Sequence, residues 1–137
     1  DEARDGFEKL LMDARQLTFP ETSFDHVTFF YSLMFMSKET QKQAIAEAIR
    51  VLKTGGYLHI WDADISKAYP EPFVIDLDIQ INGDILHTTY GIISDLRDQT
   101  ADSFHQQCTE NGLELQKQSI SNQQFYLVYK KVCIKDY

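Results

Sequence analysis

The chain has 137 residues with 13 basic and 21 acidic side chains, which give a formal net charge of -8. This length suits one domain with a real hydrophobic core but is small for a complete cofactor-binding α/β enzyme, and the acidic charge disfavours nucleic acid and anionic membranes as partners. Cys108 and Cys133 have no short spacing that would predict a disulfide framework or a zinc site, and no apolar run approaches the ~18 residues that span a bilayer, so a reducing cytoplasm is the expected location.

The amino-terminal third predicts two strands separated by a turn. The segment FEKLLMDA reads as a brief strand that ends at Asp13, and TFPETS has the composition of a turn around Pro20. The next run, FDHVTFFYSLMFM, is almost continuously apolar and rich in aromatic and β-branched residues. This pattern is typical of a strand buried on both faces of a parallel sheet, so we expect an interior parallel strand from Phe24 to Leu33.

A helix and a further strand follow. Ser37 is predicted to cap the helix, and Gly55 is predicted to end it. YLHIW then reads as a second buried strand, so the order strand, helix, strand predicts a right-handed crossover unit. The apolar residues at helical spacing are Ile45, Ala48, Ile49 and Leu52.

The middle of the chain predicts a β-hairpin over residues 73–93. Asn82 and Gly83 stand between two alternating runs, and this dipeptide is the strongest short-range signal for a two-residue hairpin turn. The turn fixes the register, with one apolar face and one polar face. The pairs expected to face each other are Ile79 with Leu86, Asp78 with His87, and Asp76 with Thr89.

The last part of the chain predicts one helix and two strands. The helix is expected from Asp95 to Glu110, with an Asn111-Gly112 stop after it. LELQKQSIS and QQFYLVYKKV are expected to form an antiparallel pair joined by a short Ser-Asn turn. The residues expected on the buried side of the helix are Leu96, Phe104 and Cys108.

These segments together resemble a known family. MDARQLTFPETSFDHVTFFYSL, followed by AIAEAIRVLKTGGYLHIWDAD, is similar to the second half of a class I S-adenosylmethionine-dependent methyltransferase of the small-molecule type. The resemblance implies an α/β fold with a Rossmann-like methyltransferase sheet that is incomplete at the amino end. An inserted β-hairpin at 73–93 and an antiparallel carboxyl-terminal strand pair complete a single, truncated domain over residues 1–137.

The resemblance also implies S-adenosylmethionine as the cofactor and a set of contacts for it. The Asp13 carboxylate would accept a hydrogen bond from the adenine amino group, and the Ala14 backbone amide would donate to a ring nitrogen. Tyr31, Ser32 and Leu33, at the end of the next strand, would line the sulfonium and substrate side. Ligands of open parallel sheets bind outside the carboxyl ends of the strands, which agrees with this placement.

Two departures from the family pattern limit the assignment. Many relatives carry an acidic residue and a histidine just after that strand, whereas this chain has Met34 and Phe35, so no proton-handling role is assigned there. The glycine-rich loop of the family would precede FEKLLMDA, and the six glycines of this chain form no such cluster. The missing part corresponds to a βαβ unit of ~30 residues or more.

The missing unit has a consequence for the sheet. In the family's strand order, 3-2-1-4-5-7-6, the two missing strands lie between EKLLM and FDHVTFFYSL, which leaves FDHVTFFYSL as an exposed edge. Three explanations stay open: amino-terminal residues are omitted, the chain is a proteolytic fragment, or a second copy completes the sheet.

Four polar residues are further candidates for chemistry. Asp62 and Asp64 follow a strand in the direction of the active site, where paired acids bind metals or, more commonly, are solvated loop residues. Asp78 opposite His87 would favour imidazolium and fix its tautomer, although a polar hairpin face normally points at water. We therefore expect no metal, and we assign no catalytic residue.

The remaining histidines give weaker signals. His105 and Cys108 fit one face of an amphipathic helix better than a metal site. His26 and His59 are interpreted as isolated residues.

Two functions of different classes follow from the sequence. The first is methyl transfer from S-adenosylmethionine to a small-molecule O, N or C nucleophile, as part of a longer enzyme of which this chain alone is expected to be inactive. The alternative is a non-catalytic, methyltransferase-like interaction domain that lacks a working cofactor site and pairs through its exposed strand edge or hairpin. A homodimer that completes the sheet is the possible protein partner. A nicotinamide dehydrogenase would need the same absent glycine loop.

Overall fold

The computed structural model describes residues 8–65, 73–92 and 98–132. This part of the chain forms a four-stranded sheet, a separate β-hairpin and two helices. No helix in these three ranges is long and apolar enough to cross a membrane. The elements are β1 (Phe24–Phe30), α1 (Lys38–Val51), β2 (Leu52–Ala63), β3 (Phe73–Ile81), β4 (Asp84–Ile92), α2 (His105–Glu110), β5 (Leu113–Ser121) and β6 (Gln124–Lys131).

The four-stranded sheet has the order β1-β2-β6-β5. β1 and β2 are parallel and connected through α1, and the two remaining contacts are antiparallel. The parallel pair needs a crossover of this length, because a tight turn can join only antiparallel strands. The predicted strand-helix-strand unit and the antiparallel carboxyl-terminal pair are confirmed, and with them the α/β class.

The ends of α1 show which sequence signals were strong. The Ser37 hydroxyl accepts a hydrogen bond from the Thr40 amide, as expected for an N-cap. The predicted end at Gly55 is wrong, because α1 ends at Val51 and β2 begins at once. The carbonyls of Ile49 and Leu52 at this end accept hydrogen bonds of 2.7 Å from the Lys131 ammonium, so a distant strand replaces a local glycine cap.

The two glycines instead serve the start of β2. Between the first and second β1–β2 pairs the register shifts, and Gly55 in this stretch has a φ of +87°. At Gly56 a Cβ atom would lie 2.7 Å from the Asp25 carbonyl oxygen, so only glycine permits this approach of the two strands.

The main core lies on one face of the sheet, which α1 and α2 both cover. The apolar positions predicted for α1 are all buried, although Leu52 belongs to β2. Phe104 and Cys108 contribute from the second helical segment, also as predicted. The other members of this core are Phe29, Leu33, Ala44, Leu58, Ile60, Ala101, Leu113, Phe125, Leu127 and Tyr129.

The opposite face of the sheet carries rings. We call this surface the aromatic face, and its residues are His26, Phe30, Tyr57, His59, Trp61 and Tyr126. The expectation that β1 is an interior strand buried on both faces is wrong, because Phe29 is its only buried residue and Phe30 is 41% exposed. In the part of the chain that the structure describes, β1 is an edge strand, as the missing neighbours predicted.

The segment before Asp13 does not form the predicted strand. Residues 8–12 have no regular structure, and Asp13 makes only an isolated bridge to Gln16. Among the described residues no strand lies beside this segment to accept its backbone hydrogen bonds, so its β pattern has nothing to pair with. The following loop is instead tied to α1, where the Glu47 carboxylate accepts from the Leu17 amide at 2.8 Å.

The hairpin matches its prediction in detail. β3 and β4 meet at Asn82 and Gly83, both with positive φ, as the favoured two-residue turn requires. All three predicted pairs are present in the register. Its apolar face contributes Ile75 and Leu77 to a second core, whose other buried members are Tyr31, Met34, Ala63 and Ile65.

The second helical segment is shorter than predicted. Residues 93–97, with Leu96, lie outside the described residues, and Asp98–Thr100 are not helical. Helical structure begins with a 3-10 turn at Ala101, where Thr100 and Ser103 form a capping box. The carboxyl end is as predicted, because α2 ends at Glu110, directly before Asn111 and Gly112. β5 and β6 are joined at Asn122 and Gln123, one residue beyond the predicted Ser-Asn turn.

Candidate functional site

The candidate site lies at the carboxyl ends of the two parallel strands. β1 stops at Phe30, and the chain then turns through Tyr31, Ser32 and the 3-10 helix Leu33–Phe35. Tyr31 has a φ of +49°, a left-handed conformation that is uncommon for a bulky residue, and its amide donates to the Trp61 carbonyl at 2.8 Å. Such backbone outliers persist where the surrounding structure holds them, and they are concentrated at functional sites.

Asp62, at the end of β2, holds this turn. Its carboxylate is fully buried, and one oxygen accepts from the Leu33 amide at 3.0 Å and the Met34 amide at 3.3 Å. The other oxygen accepts from the Ala63 amide at 2.8 Å and from the Gln99 side chain at 2.9 Å. The interpretation of Asp62 as a solvated loop acid is therefore wrong, because the turn after β1 closes over it.

Burial shifts the chemistry of this carboxyl group. Desolvation raises the pKa of Asp62 to about 6, and the hydrogen bonds from Ala63, Gln99, Met34 and Leu33 lower it only in part. The group therefore carries a charge at neutral pH and loses it in mildly acidic solution. Asp64 is only partly buried, although one of its carboxylate oxygens has no solvent access and no hydrogen-bond partner among the described residues.

Two glutamines extend the hydrogen bonds around the turn into a closed ring. The Gln99 side chain, which donates to Asp62, accepts from Gln41 at 3.0 Å, and the same Gln41 amide group donates to the Leu33 carbonyl at 2.7 Å. Gln99 also forms a backbone bridge with Ile65 just beyond β2. The turn is thus fixed from β2, from α1 and from the segment before the second helix.

The two residues predicted to hold adenine lie in the loop before β1. The Asp13 carboxylate is half exposed and bonds Arg15 through its backbone amide at 2.9 Å and its guanidinium at 2.6–3.1 Å. These hydrogen bonds lower the pKa of Asp13 to about 2, so the group stays ionised and acts only as an acceptor. Ala14 is partly buried and packs against the main core. Their contact with a cofactor stays a prediction.

The three residues predicted to line the sulfonium side lie together in the turn. Tyr31 is 4% exposed, its hydroxyl donates to the Gln124 side chain, and burial raises its pKa to about 12. Ser32 is partly buried, whereas Leu33 is fully buried in the main core. Tyr31 and Leu33 therefore support the turn from within, and Ser32 is the most exposed of the three. Their contact with a ligand stays a prediction.

The apolar face of the hairpin covers the same strand ends. Tyr90 of β4 stacks on Tyr31 with 5.2 Å between ring centroids, and Ile75 and Leu77 pack in the same cluster. A small cavity of about 150 Å³ also borders Tyr31. A larger open groove of about 650 Å³ lies between α1 and α2. The lining of the small cavity is Tyr31, Trp61, Ser119, Ser121, Gln124, Phe125 and Tyr126.

The polar hairpin face points at water. The His87 imidazole and the Asp78 carboxylate meet at 2.6 Å, and this contact raises the pKa of His87. Both side chains are about 70% exposed, at 68% and 70%. The pairing is confirmed, and its exposure favours the solvated interpretation over an acid-base role.

The interpretation of His26 and His59 as isolated is wrong. Their ring nitrogens approach to 3.1 Å on the aromatic face, and the other nitrogen of His59 lies 3.0 Å from the Tyr126 hydroxyl. Burial, with a smaller contribution from His26, lowers the pKa of His59. The contact joins adjacent parallel strands, so a sequence separation of 33 residues concealed it.

His105 and Cys108 belong to the packing of α2. Burial raises the pKa of the Cys108 thiol to about 12, and His105 bonds the Tyr129 hydroxyl and, at 2.9 Å, the Gln118 side chain. Within residues 8–65, 73–92 and 98–132 no three His, Cys, Asp or Glu side chains are grouped as metal ligands.

Comparisons with known proteins agree with this architecture. Residues 1–60 match a protein family described as a methyltransferase domain. The PH0226 protein from Pyrococcus horikoshii OT3 is similar in structure with a TM-score of 0.65 and 19% identity, over 95% of this chain and 64% of that one. A structure described as SAM-dependent methyltransferases from Methanosarcina mazei has a TM-score of 0.61 and 17% identity, over 88% of this chain and 65% of that one.

A third solved structure adds a different activity. It is described as the cyclase SpnF, with a TM-score of 0.58 and 18% identity, over 88% of this chain and 55% of that one. The chain therefore spans less than two thirds of the length of each of these structures, and at such identities the likeness shows the fold. A comparison with curated protein sequences finds no significant match.

Proposed function

We propose that the chain, whose fold is similar to that of solved SAM-dependent methyltransferases and whose residues 1–60 match a methyltransferase domain, contributes to methyl transfer from S-adenosylmethionine onto a small-molecule acceptor as part of a longer enzyme. The observation that carries the proposal is the left-handed turn at Tyr31, fixed at the carboxyl end of a parallel strand and covered by a hairpin. Ligands of open α/β sheets bind at this edge.

The residues present fit two sides of S-adenosylmethionine. The ionised, half-exposed Asp13 carboxylate is suited to accept from the adenine amino group, with the Ala14 amide beside it as donor. Tyr31 and Ser32 suit the sulfonium and substrate side. The sequence has no glycine cluster that would bring a backbone close to the methionine end of the cofactor, so the fit concerns these two sides alone.

The chain's own residues would act mainly by orientation. When bound, the cofactor supplies an electrophilic methyl group on its sulfonium. Displacement at that carbon depends on holding the acceptor in line, and holding two reactants in place contributes a large part of many rate enhancements. In this proposal the turn at Tyr31 and Ser32 would line the acceptor side, and the β3–β4 hairpin, whose Tyr90 stacks on Tyr31, would exclude water from it. Base assistance is optional, and no residue is assigned to it.

Calorimetric titration of the chain with S-adenosylmethionine tests the proposal. We expect saturable binding that weakens about tenfold or more in Asp13→Ala, because a charged hydrogen-bond acceptor is lost. Asp76→Ala is the matched control, since Asp76 lies on the exposed hairpin face. A folded chain that gives no binding heat at millimolar ligand, or an Asp13→Ala variant that binds like Asp76→Ala, would contradict the proposal.

A second function is favoured by the open edge of β1. In the described part of the chain this strand has β2 on one side and no strand on the other, and Phe24 and Phe30 are exposed along it. We propose, as the alternative, a non-catalytic domain in which a second copy or a partner strand pairs with this edge. The cyclase among the similar structures illustrates that the fold alone does not specify methyl transfer. Sedimentation that depends on chain concentration, without binding of S-adenosylmethionine, would favour this alternative.

We place the protein in the cytoplasm as part of the same proposal. Cys108 is a free thiol in the core, and a buried free cysteine is compatible with a reducing compartment.

A further inference from the structure

We infer that Asp62 is a positioning residue, whose carboxylate sets the geometry of the turn Tyr31–Met34 and thereby the ligand-facing edge of the sheet. The inference rests on the proposed function for what the turn binds. It rests on the contacts around the turn for how the geometry is held. Nothing in the sequence pattern of the turn explains its conformation, since Tyr31 is neither glycine nor asparagine.

The contacts of Asp62 require a carboxylate rather than a generic polar group. Its two oxygens together accept hydrogen bonds from four N–H groups, those of Leu33, Met34, Ala63 and Gln99. An ionised carboxylate offers about four acceptor sites on two oxygens, whereas an asparagine has one acceptor oxygen and would direct its own N–H groups at two of these donors. Asparagine in place of Asp62 therefore preserves the shape of the side chain but cannot accept the two hydrogen bonds that one of the carboxylate oxygens accepts.

The hold reaches Tyr31 through the backbone. The amides of Leu33 and Met34 both point to the same Asp62 oxygen, which orients the peptide units directly after Ser32. On the other side of the turn, the Tyr31 amide is held by the Trp61 carbonyl of the same strand β2. The end of β2 therefore accepts hydrogen bonds from both sides of the turn, at the Trp61 carbonyl and at the Asp62 carboxylate. Tyr31 keeps its left-handed conformation between these two contacts.

Few charges near Asp62 compete with its own titration. Within the ranges that the structure describes, the titratable groups on the surrounding elements are Tyr31 in the turn, Tyr90 on β4, and Asp64 two residues beyond on the chain. At the start of α1, Lys38 is paired at 3.3 Å with Asp98, the neighbour of Gln99, and both are more than half exposed. The charge of Asp62 contributes to the raised pKa of Tyr31, so that phenol stays neutral when Asp62 ionises. Asp64, the carboxyl group nearest along the chain, therefore serves as the control.

The experiment follows the backbone amide resonances of Leu33 and Met34 by NMR between pH 5 and pH 8. In the native chain we expect both amide protons to shift with one common midpoint near pH 6, because the charge of their shared acceptor changes. Asp64→Asn should keep this transition. Asp62→Asn should abolish it and should move the resonances of Tyr31 and Ser32 even at pH 8.

Binding of S-adenosylmethionine is measured on the same three chains. We expect Asp62→Asn to bind about tenfold more weakly than the native chain and Asp64→Asn at pH 7.5, because a displaced turn misplaces its contacts. The native chain should lose affinity as the pH falls through 6, whereas Asp62→Asn should show no such dependence. A residue that supports only the fold would change the unfolding transition without this pH dependence.

The outcomes separate the two proposals. Amides of Leu33 and Met34 that do not titrate in the native chain would overturn the inference, and this measurement needs no variant to fold. A folded Asp62→Asn that binds S-adenosylmethionine as Asp64→Asn does, with the same pH profile, would overturn it as well. If the amides titrate as expected and none of the three chains binds S-adenosylmethionine, the positioning of the turn is supported and the proposed function fails.

Discussion

Asp62 shows how one residue can be unfavourable for stability and still be required by geometry. A carboxyl group that is buried with no cationic partner among the described residues is costly to ionise, and its four hydrogen bonds do not restore the ordinary pKa. The folded chain nevertheless keeps it where the turn after β1 needs a multiple acceptor. Its role is therefore better tested by the dependence of stability on pH than by stability at one pH.

The pKa of Asp62 predicts such a dependence. Folding raises this pKa from 3.8 to about 6, so the folded chain binds more protons than the unfolded chain between these values. The free energy of unfolding therefore falls as the pH rises through this window, by about 3 kcal/mol for this group, and the full cost is present above pH 6. Urea unfolding of the native chain and of Asp62→Asn, at steps from pH 4 to pH 7, measures the difference between them.

We expect that difference to change by this amount across the window. Asp64→Asn provides the control and should follow the native profile. A constant difference between the native chain and Asp62→Asn would show that the carboxyl group titrates normally.

The stability of the β3–β4 hairpin depends on its two-residue turn at Asn82 and Gly83. Gly83 has a φ of +85°, and a Cβ atom there would meet nothing within 4 Å. The Gly83→Ala cost is therefore conformational rather than steric, and we expect it to be about 1–2 kcal/mol. Hydrogen exchange of the β3 and β4 amides measures it, because a loss confined to the hairpin appears there first. Gly91→Ala, in β4 outside the turn, should have a smaller effect.

Elements specified by local sequence were predicted well. The Asn82-Gly83 turn determined the hairpin register, and Ser37 determined the start of α1, because both signals act within a few residues. The segment before Asp13 carried a strand pattern and formed no strand, since a strand also needs a neighbour. The end of α1 was misplaced because its cap comes from Lys131, far along the chain.

The candidate site likewise has features that the sequence predicted and features that depend on distant contacts. Its position at the strand ends followed from the order of elements and from the family resemblance. The role of Asp62 did not, because its partners in the turn are 28 and 29 residues away and Gln99 is 37 residues away. One local signal was available: Asp62 directly follows the predicted buried strand YLHIW, which places its carboxyl group beside the core. The contact between His26 and His59 had no local signal.

At the scale of the whole molecule, the described residues form two separate hydrophobic cores. The main core joins the sheet to α1 and α2, and the second core joins the hairpin to the strand ends. The second core is smaller and lies at the proposed ligand-binding edge. We therefore expect the hairpin to open while the sheet stays folded, as binding elements often do.

A matched pair of substitutions tests this division. Ile60 is buried in the main core and Ile75 in the second. We expect Ile60→Ala to lower the free energy of global unfolding by about 2–5 kcal/mol and to speed hydrogen exchange throughout the sheet. Ile75→Ala should speed exchange in β3 and β4 and leave β2 and β6 protected. Equal loss of protection in β2 from both variants would show a single cooperative unit.

The order β1-β2-β6-β5 also has a consequence for how the protein is made. The second neighbour of β2 is the last described strand, so 60 residues, 64–123, separate the end of β2 at Ala63 from the start of β6 at Gln124. While the ribosome adds them, β2 has β1 as its one partner, and its other backbone edge is open. A pause in translation within this interval would leave the apolar residues and the unpaired edge of β2 exposed to chaperones or to aggregation. Rapid synthesis would shorten that exposure.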